Sequence, residues 1–252
     1  MLDKNGIQRY FEKIQLLTNQ VVLDQNDLLL TISSCMVNTV QQHKRIFLFG
    51  TGHSHMMVEE GFYRAGGLTA VVPIFSAALM LHENPIMSGK LERTPGLAAP
   101  LLEFHQPQPG EMIFVYSNSG VNQLPVEMAL LAKEKGLTVI AVLSKKYAAK
   151  APTNAIGKKL YEVADFVIDN GGEPGDALIS LKEQPWQVAP SSTVVNAIIW
   201  NALVAETALQ LEKTMDEEVP VLASLNMPGA AEHNEKLFLS WKDVNPYLGY
   251  GD

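Results

Sequence analysis

The stretch FLFGTGHSHMMVEEGFYRAGGL (47–68) decides the fold. The apolar run RIFLFG (45–50) breaks into Gly-Thr-Gly-His-Ser-His, and apolar residues at helical spacing follow from about His55 to Ala65, closed by Gly66-Gly67. That is a strand, a tight loop and a helix. The loop admits two chemistries. His53 and His55, with Glu59 one helical turn beyond, are ligand types that zinc accepts. Alternatively, Gly50 and Gly52 let the backbone approach an anion closely, and Ser54 stands where the free amides of a helix's first turn carry partial positive charge.

Working outward, the unit recurs. TAVVPIF (69–75) reads as a strand; EMIFVYS (111–117) leads through Asn118-Ser119-Gly120 into the helical PVEMALLAKEKG (125–136); LTVIAVLS (137–144) and DFVIDN (165–170) follow. Strands apolar on both faces and separated by helices predict an α/β three-layer sandwich around a mostly parallel five-stranded sheet, with ligands at the carboxyl ends of its strands. Upstream, residues 7–43 predict two helices broken near Asp24–Asp27. Residues 76–110 and 171–190 are long connections of the kind that carry function. The tail holds a short helix near Glu232–Trp241 and ends in Gly-Tyr-Gly (249–251). The expected division is a single domain over 1–252: N-terminal helices (1–44), an α/β core (45–170), and a C-terminal helix and tail (171–252).

Composition narrows the partners. With 47% hydrophobic and 18% charged residues the 252-residue chain is an ordinary globular mixture. A formal charge of −8 opposes nucleic acid or an anionic membrane as partner, since both require a basic footprint. The start lacks a secretory pattern and the lone Cys35 has no intramolecular partner, so a cytoplasmic home is expected. The run TVVNAIIWNALVAETALQL (193–211) carries Asn196, Asn201 and Glu206, which marks a buried helix at a subunit contact rather than a membrane span. No cofactor and no metal is expected: the other histidines (43, 82, 105, 233) lack ligand spacing, and His105 reads as a surface residue.

The anion reading uses more of the sequence, because Ser117-Asn118-Ser119-Gly120 repeats the hydroxyl-rich turn of the first loop and both turns would converge on one crevice. GTGHS, SNSG and a C-terminal helix opened by SST (191–193) together resemble the sugar isomerase (SIS) domain family, over about residues 30–212. Details such as FYRAGGL and EHNEKL resemble an uncharacterised, phosphoheptose-isomerase-like branch. The resemblance implies a SIS-type, flavodoxin-like fold and a phosphorylated sugar as ligand. Its phosphate would lie on Ser117, Ser119 and the amides of Asn118 and Gly120. Asn122 stands where many members have a phosphate-binding Thr. Gly52, His53 and Ser54 would meet the phosphate or sugar, and Ser192 and Thr193 would line the same pocket.

The same resemblance leaves the chemistry open. The family's catalytic glutamate on the first helix falls at Arg64, and arginine is a poor general base. Glu60 is then either an i, i+4 partner of Arg64 or a catalytic group. Glu92 in KLERTPGLA and His233 in AAEHNEKL are the other acid–base candidates; His233 would reach the pocket of a neighbour in a homodimer or larger homo-oligomer. The expected activity is aldose/ketose sugar-phosphate isomerisation, with an etherase or lyase of the muramic acid phosphate type, or a non-catalytic phosphosugar sensor, as alternatives.

Overall fold

The computed structural model describes residues 4–248. Two layers of helix sandwich a five-stranded, all-parallel sheet in the order β2-β1-β3-β4-β5: β1 (Ile46–Gly50), β2 (Val71–Pro73), β3 (Met112–Tyr116), β4 (Thr138–Leu143) and β5 (Phe166–Asp169). The register pairs Leu48 with Phe114 and Phe114 with Ile140. Because strand side chains alternate, Leu48, Phe114 and Ile140 face one core and Phe47, Ile113 and Val139 the other. This is why the strands read as continuous apolar runs.

The first core is covered by α1 (Gly6–Asp24), α2 (Asn26–Gln41), α3 (Met56–Gly61) and α8 (Ser192–Thr214). The second is covered by α4 (Pro85–Leu91), α5 (Ala98–Phe104), α6 (Gln123–Glu134) and α7 (Lys145–Lys150). The two N-terminal helices divide at Gln25, within the expected break. Among the described residues, α8 is the one helix long and apolar enough to cross a membrane by length and composition. Here its Ile199, Trp200 and Leu203 are buried against α2, α3 and the sheet. Its Thr207 hydroxyl lies 3.0 Å from that of Ser33 on α2, so both polar groups are satisfied inside the contact.

The long connections carry structure the sequence does not announce. Residues 76–110 contain α4 and α5, and residues 171–190 form an antiparallel hairpin of β6 (Ala177–Ser180) and β7 (Gln187–Pro190). The expected helix over 55–65 is shorter. A 3-10 turn spans Gly52–His55, α3 ends at Gly61, and Phe62 is extended. The reason is aromatic burial: Phe62 leaves the helix to pack edge-on against Phe75 and Tyr247, at 5.8 and 5.3 Å between ring centroids. The edge strand β2 is not left open. After α9 (Ala230–Trp241), Asn245 donates its side-chain amide to the carbonyls of Thr69 (2.8 Å) and Val71 (2.9 Å). The Gly-Tyr-Gly of 249–251 lies outside the described residues.

His105 is not a surface residue. It is 7% exposed, meets Phe47 edge-on, and its carbonyl accepts from Arg45. Burial, reinforced by the nearby Arg45 charge, pushes its pKa from 6.5 down to about 4.

Candidate functional site

Two loops at the carboxyl ends of adjacent strands build the site. After β1 the chain folds back so tightly that a Cβ on Gly50 would lie 2.4 Å from the Ser54 carbonyl oxygen, so only glycine fits there. The turn is closed by the Ser54 amide donating to the Thr51 carbonyl at 3.0 Å. After β3 the amide of Ser117 still bonds the Val142 carbonyl of β4, and Gly120 then takes φ +62. The Gly120 amide donates to the Ser117 carbonyl at 3.0 Å. It closes the turn itself, a use not foreseen in the sequence.

Asn118 is the better-prepared donor. Its Oδ1 accepts from Asn170 Nδ2 at 2.9 Å, and Asn170 also donates to Asn196 Oδ1 at 3.1 Å. This network fixes which way the amide points, leaving Asn118 Nδ2 buried with no partner among the described residues.

Both loops open on one crevice of about 410 Å³, which Gly52, His53, Ser54, Ser117, Asn118, Ser119, Asn122 and Ser192 all help to line. Thr193, in the first turn of α8, does not line it. Of the acid–base candidates, Glu92 lines the crevice, brought there by the C-terminal end of α4. Its carboxylate accepts from the Thr51 hydroxyl at 2.5 Å and lies 3.9 Å from the Arg93 guanidinium. Glu60 lies elsewhere. It pairs with Arg64 and accepts from Asn201 on α8 at 3.0 Å, outside the crevice lining. His233, on α9, has Nε2 2.8 Å from the Val221 carbonyl and Nδ1 3.1 Å from Glu218, and it too is absent from the crevice wall of its own chain.

The two loop histidines part company. His53 is exposed and borders the crevice, while His55 is 2% exposed, stacks on Phe75 at 5.2 Å and has neither ring nitrogen hydrogen-bonded. Burial lowers the His55 pKa, opposed by the Glu59 carboxylate. Among the described residues no group of three or more His, Cys, Asp or Glu side chains could hold a metal ion.

Three crevice residues with charged or aromatic side chains escape the sequence reading. Arg93 and Tyr147 line it, and so does Asp176. Asp176, at φ +64, places its carboxylate over the start of α8, accepting from the amides of Ser192 (2.9 Å) and Ser191 (3.2 Å) and from the Ser192 hydroxyl. The first amides of α8 therefore already hold an anion from their own chain. Asp176 has no motif to reveal it; an acid in a Gly-Glu-Pro-Gly-Asp turn reads as solvated.

Residues 9–144 match the family model for the SIS domain. A UPF0309 protein of Shouchella clausii is 40% identical over 96% of this chain and 99% of its own length, and one of Geobacillus thermodenitrificans is 40% identical over 96% and 97%. Among solved structures, a phosphoheptose isomerase from Francisella tularensis has a TM-score of 0.57 at 11% identity, covering 82% of this chain and 98% of that one. The phosphoheptose isomerase of Neisseria gonorrhoeae has a TM-score of 0.52 at 12% identity, covering 82% and 97%. At these identities the likeness is one of fold.

Proposed function

The chain belongs to the SIS domain family, and on that premise we propose that it binds a phosphorylated sugar in the crevice and isomerises it between aldose and ketose. The phosphate sits on the Ser117–Ser119 turn, where two hydroxyls and the unpartnered amide of Asn118 offer donors to a dianion. Glu92 then moves the proton between C1 and C2 through an enediol, and the phosphate supplies remote binding energy.

The observation that carries this reading is the Glu92 carboxylate lining the crevice with its orientation set by Thr51. An orienting donor and a position beside both loops are what a proton carrier needs. His53 at the rim is a second side chain of the crevice able to take part in proton transfer. The names of the fold's solved neighbours, phosphoheptose isomerases, agree with this reading.

A sensing role is the second reading, favoured by Glu60, whose carboxylate is tied to Arg64 and Asn201 and so leaves the first helix without a base at the crevice. The sugar isomerase domain of an RpiR transcription factor from Sphaerobacter thermophilus shares the fold, with a TM-score of 0.50 at 14% identity. The deciding experiment is a thermal-shift screen of sugar phosphates followed by NMR of the best binder with the protein in D2O. Deuterium entering at C1 or C2 marks the isomerase. Binding without exchange marks the sensor, and loss of an ether substituent marks a lyase.

We read the working form as a cytoplasmic homodimer or larger. Ile7, Phe11, Leu16 and Leu23 on α1 and Val194, Ile198 and Leu209 on α8 are all exposed apolar side chains of one protomer, more than a lone chain leaves uncovered without cost.

A further inference from the structure

The crevice does not end at the phosphate loop. Ser119, Asn122, Arg93 and Tyr147 line it on one side and, on the other, a second compartment of about 570 Å³ whose far wall is Lys150 and the segment after α7. The two compartments differ in charge. The crevice contains the carboxylates of Glu92 and Asp176. Among the described residues the second compartment is lined by Arg93 and Lys150 and by no Asp or Glu. In a chain with 27 acidic and 19 basic residues, a concave surface with two cations and no carboxylate runs against the protein's overall field.

Its two cations differ in how far they are committed. Among the described residues Lys150 makes no ion pair, and Arg93 bonds the Gly89 carbonyl while standing 3.9 Å from Glu92. Asn122, which separates the compartments, occupies the N-cap position of α6 but its side chain makes no capping bond. An asparagine there would ordinarily turn back on the helix. Its amide is left for something else.

We propose that this compartment is a second anion subsite that admits, in place of the substrate and as an inhibitor or effector, a sugar phosphate bearing a further acidic group, phosphate or carboxylate, at the end of the carbon chain remote from the first phosphate. The proposal rests on the phosphosugar reading of the crevice. With the first phosphate on Ser117–Ser119, the carbon chain passes Ser119 and Asn122 and delivers its second acid to Lys150 and Arg93.

Calorimetry on the full chain with fructose 6-phosphate, fructose 1,6-bisphosphate and 6-phosphogluconate tests it. The two diacids should bind about tenfold or more tightly than the monophosphate, the scale of one charge-assisted hydrogen bond. A gain for the bisphosphate alone assigns the subsite to phosphate, and a gain for phosphogluconate alone assigns it to carboxylate. Lys150→Glu should abolish the gain and leave fructose 6-phosphate within about twofold, with Lys150→Gln intermediate, as expected for an exposed charge. Equal affinities in the unmodified protein, or a diacid advantage that survives Lys150→Glu, would overturn the subsite while leaving the phosphosugar reading intact. If none of the three binds, the reading itself falls.

Discussion

The Thr51 hydroxyl donates to the Glu92 carboxylate across 2.5 Å, joining the turn after β1 to the end of α4, 41 residues later. One hydrogen bond thus links the loop that approaches the ligand to the group assigned to move its proton. Glu92→Gln keeps the shape and removes the base. It should lower turnover about 10²- to 10⁴-fold while binding changes little. Thr51→Val, which leaves the carboxylate unoriented, should lower kcat more than it raises KM; unchanged deuterium exchange in Glu92→Gln would remove Glu92 from the mechanism.

Ser119→Ala should weaken sugar-phosphate binding by roughly 10- to 100-fold, the worth of a hydrogen bond to a charged group, with little change in Tm. The control is the free sugar, whose weak binding should be indifferent to the substitution. An unchanged phosphate-ester affinity together with a lowered Tm would make Ser119 a turn residue only.

Gly50→Ala tests the fold-back after β1. A methyl 2.4 Å from a backbone oxygen has no flexible neighbour to displace, so the turn must open. The expected cost is about 1–3 kcal/mol, read as several degrees of Tm, with a loss of ligand affinity because Ser54 moves with the turn.

The pH dependence of stability should carry the mark of His105. Its folded pKa, about 4, lies below the ordinary 6.5, so between those values the unfolded chain takes up a proton that the folded one refuses. Stability is therefore undiminished above pH 6.5, falls as the pH drops toward 4, and levels off below it. The His105 share is on the order of 3 kcal/mol at about 1.4 kcal/mol per pKa unit. Buried His55 contributes in the same direction. Urea titrations at pH 7, 5 and 4 should show a shallower decline in His105→Gln than in the unmodified protein; parallel declines would contradict it.

Sedimentation at micromolar concentration should find a dimer or larger. Ile198→Lys, on the exposed face of α8, should yield a monomer with an unchanged circular dichroism spectrum. Mixing Ser119→Ala with His233→Ala should restore turnover only if His233 serves a neighbour's crevice. Full turnover in His233→Ala alone would leave His233 to its bonds with Glu218 and Val221.

What the sequence makes legible is what repeats or alternates. RIFLFG and EMIFVYS read as strands because both faces are buried, and GTGHS and SNSG read as loops because glycine and hydroxyl residues interrupt the apolar runs where a sheet would end. What it hides depends on single contacts between distant segments. Phe62 stops α3 because rings at 75 and 247 await it, and no local signal in VEEGFYR reports them. Asp176 and Arg93 enter the crevice from turns whose composition is that of ordinary surface. The Glu60 ambiguity is of the same kind: its spacing from Arg64 is visible in the sequence, but Asn201 on a helix 141 residues later is not.

The Asn245 clamp on β2 bears on how the chain comes off the ribosome. Val71 and the amide that caps its carbonyl are separated by 174 residues, so this part of the edge stays uncapped until position 245 has been synthesised. A chain stopped before position 245 lacks this cap and leaves the carbonyls of Thr69 and Val71 free, a template on which chains of this protein would pair with one another.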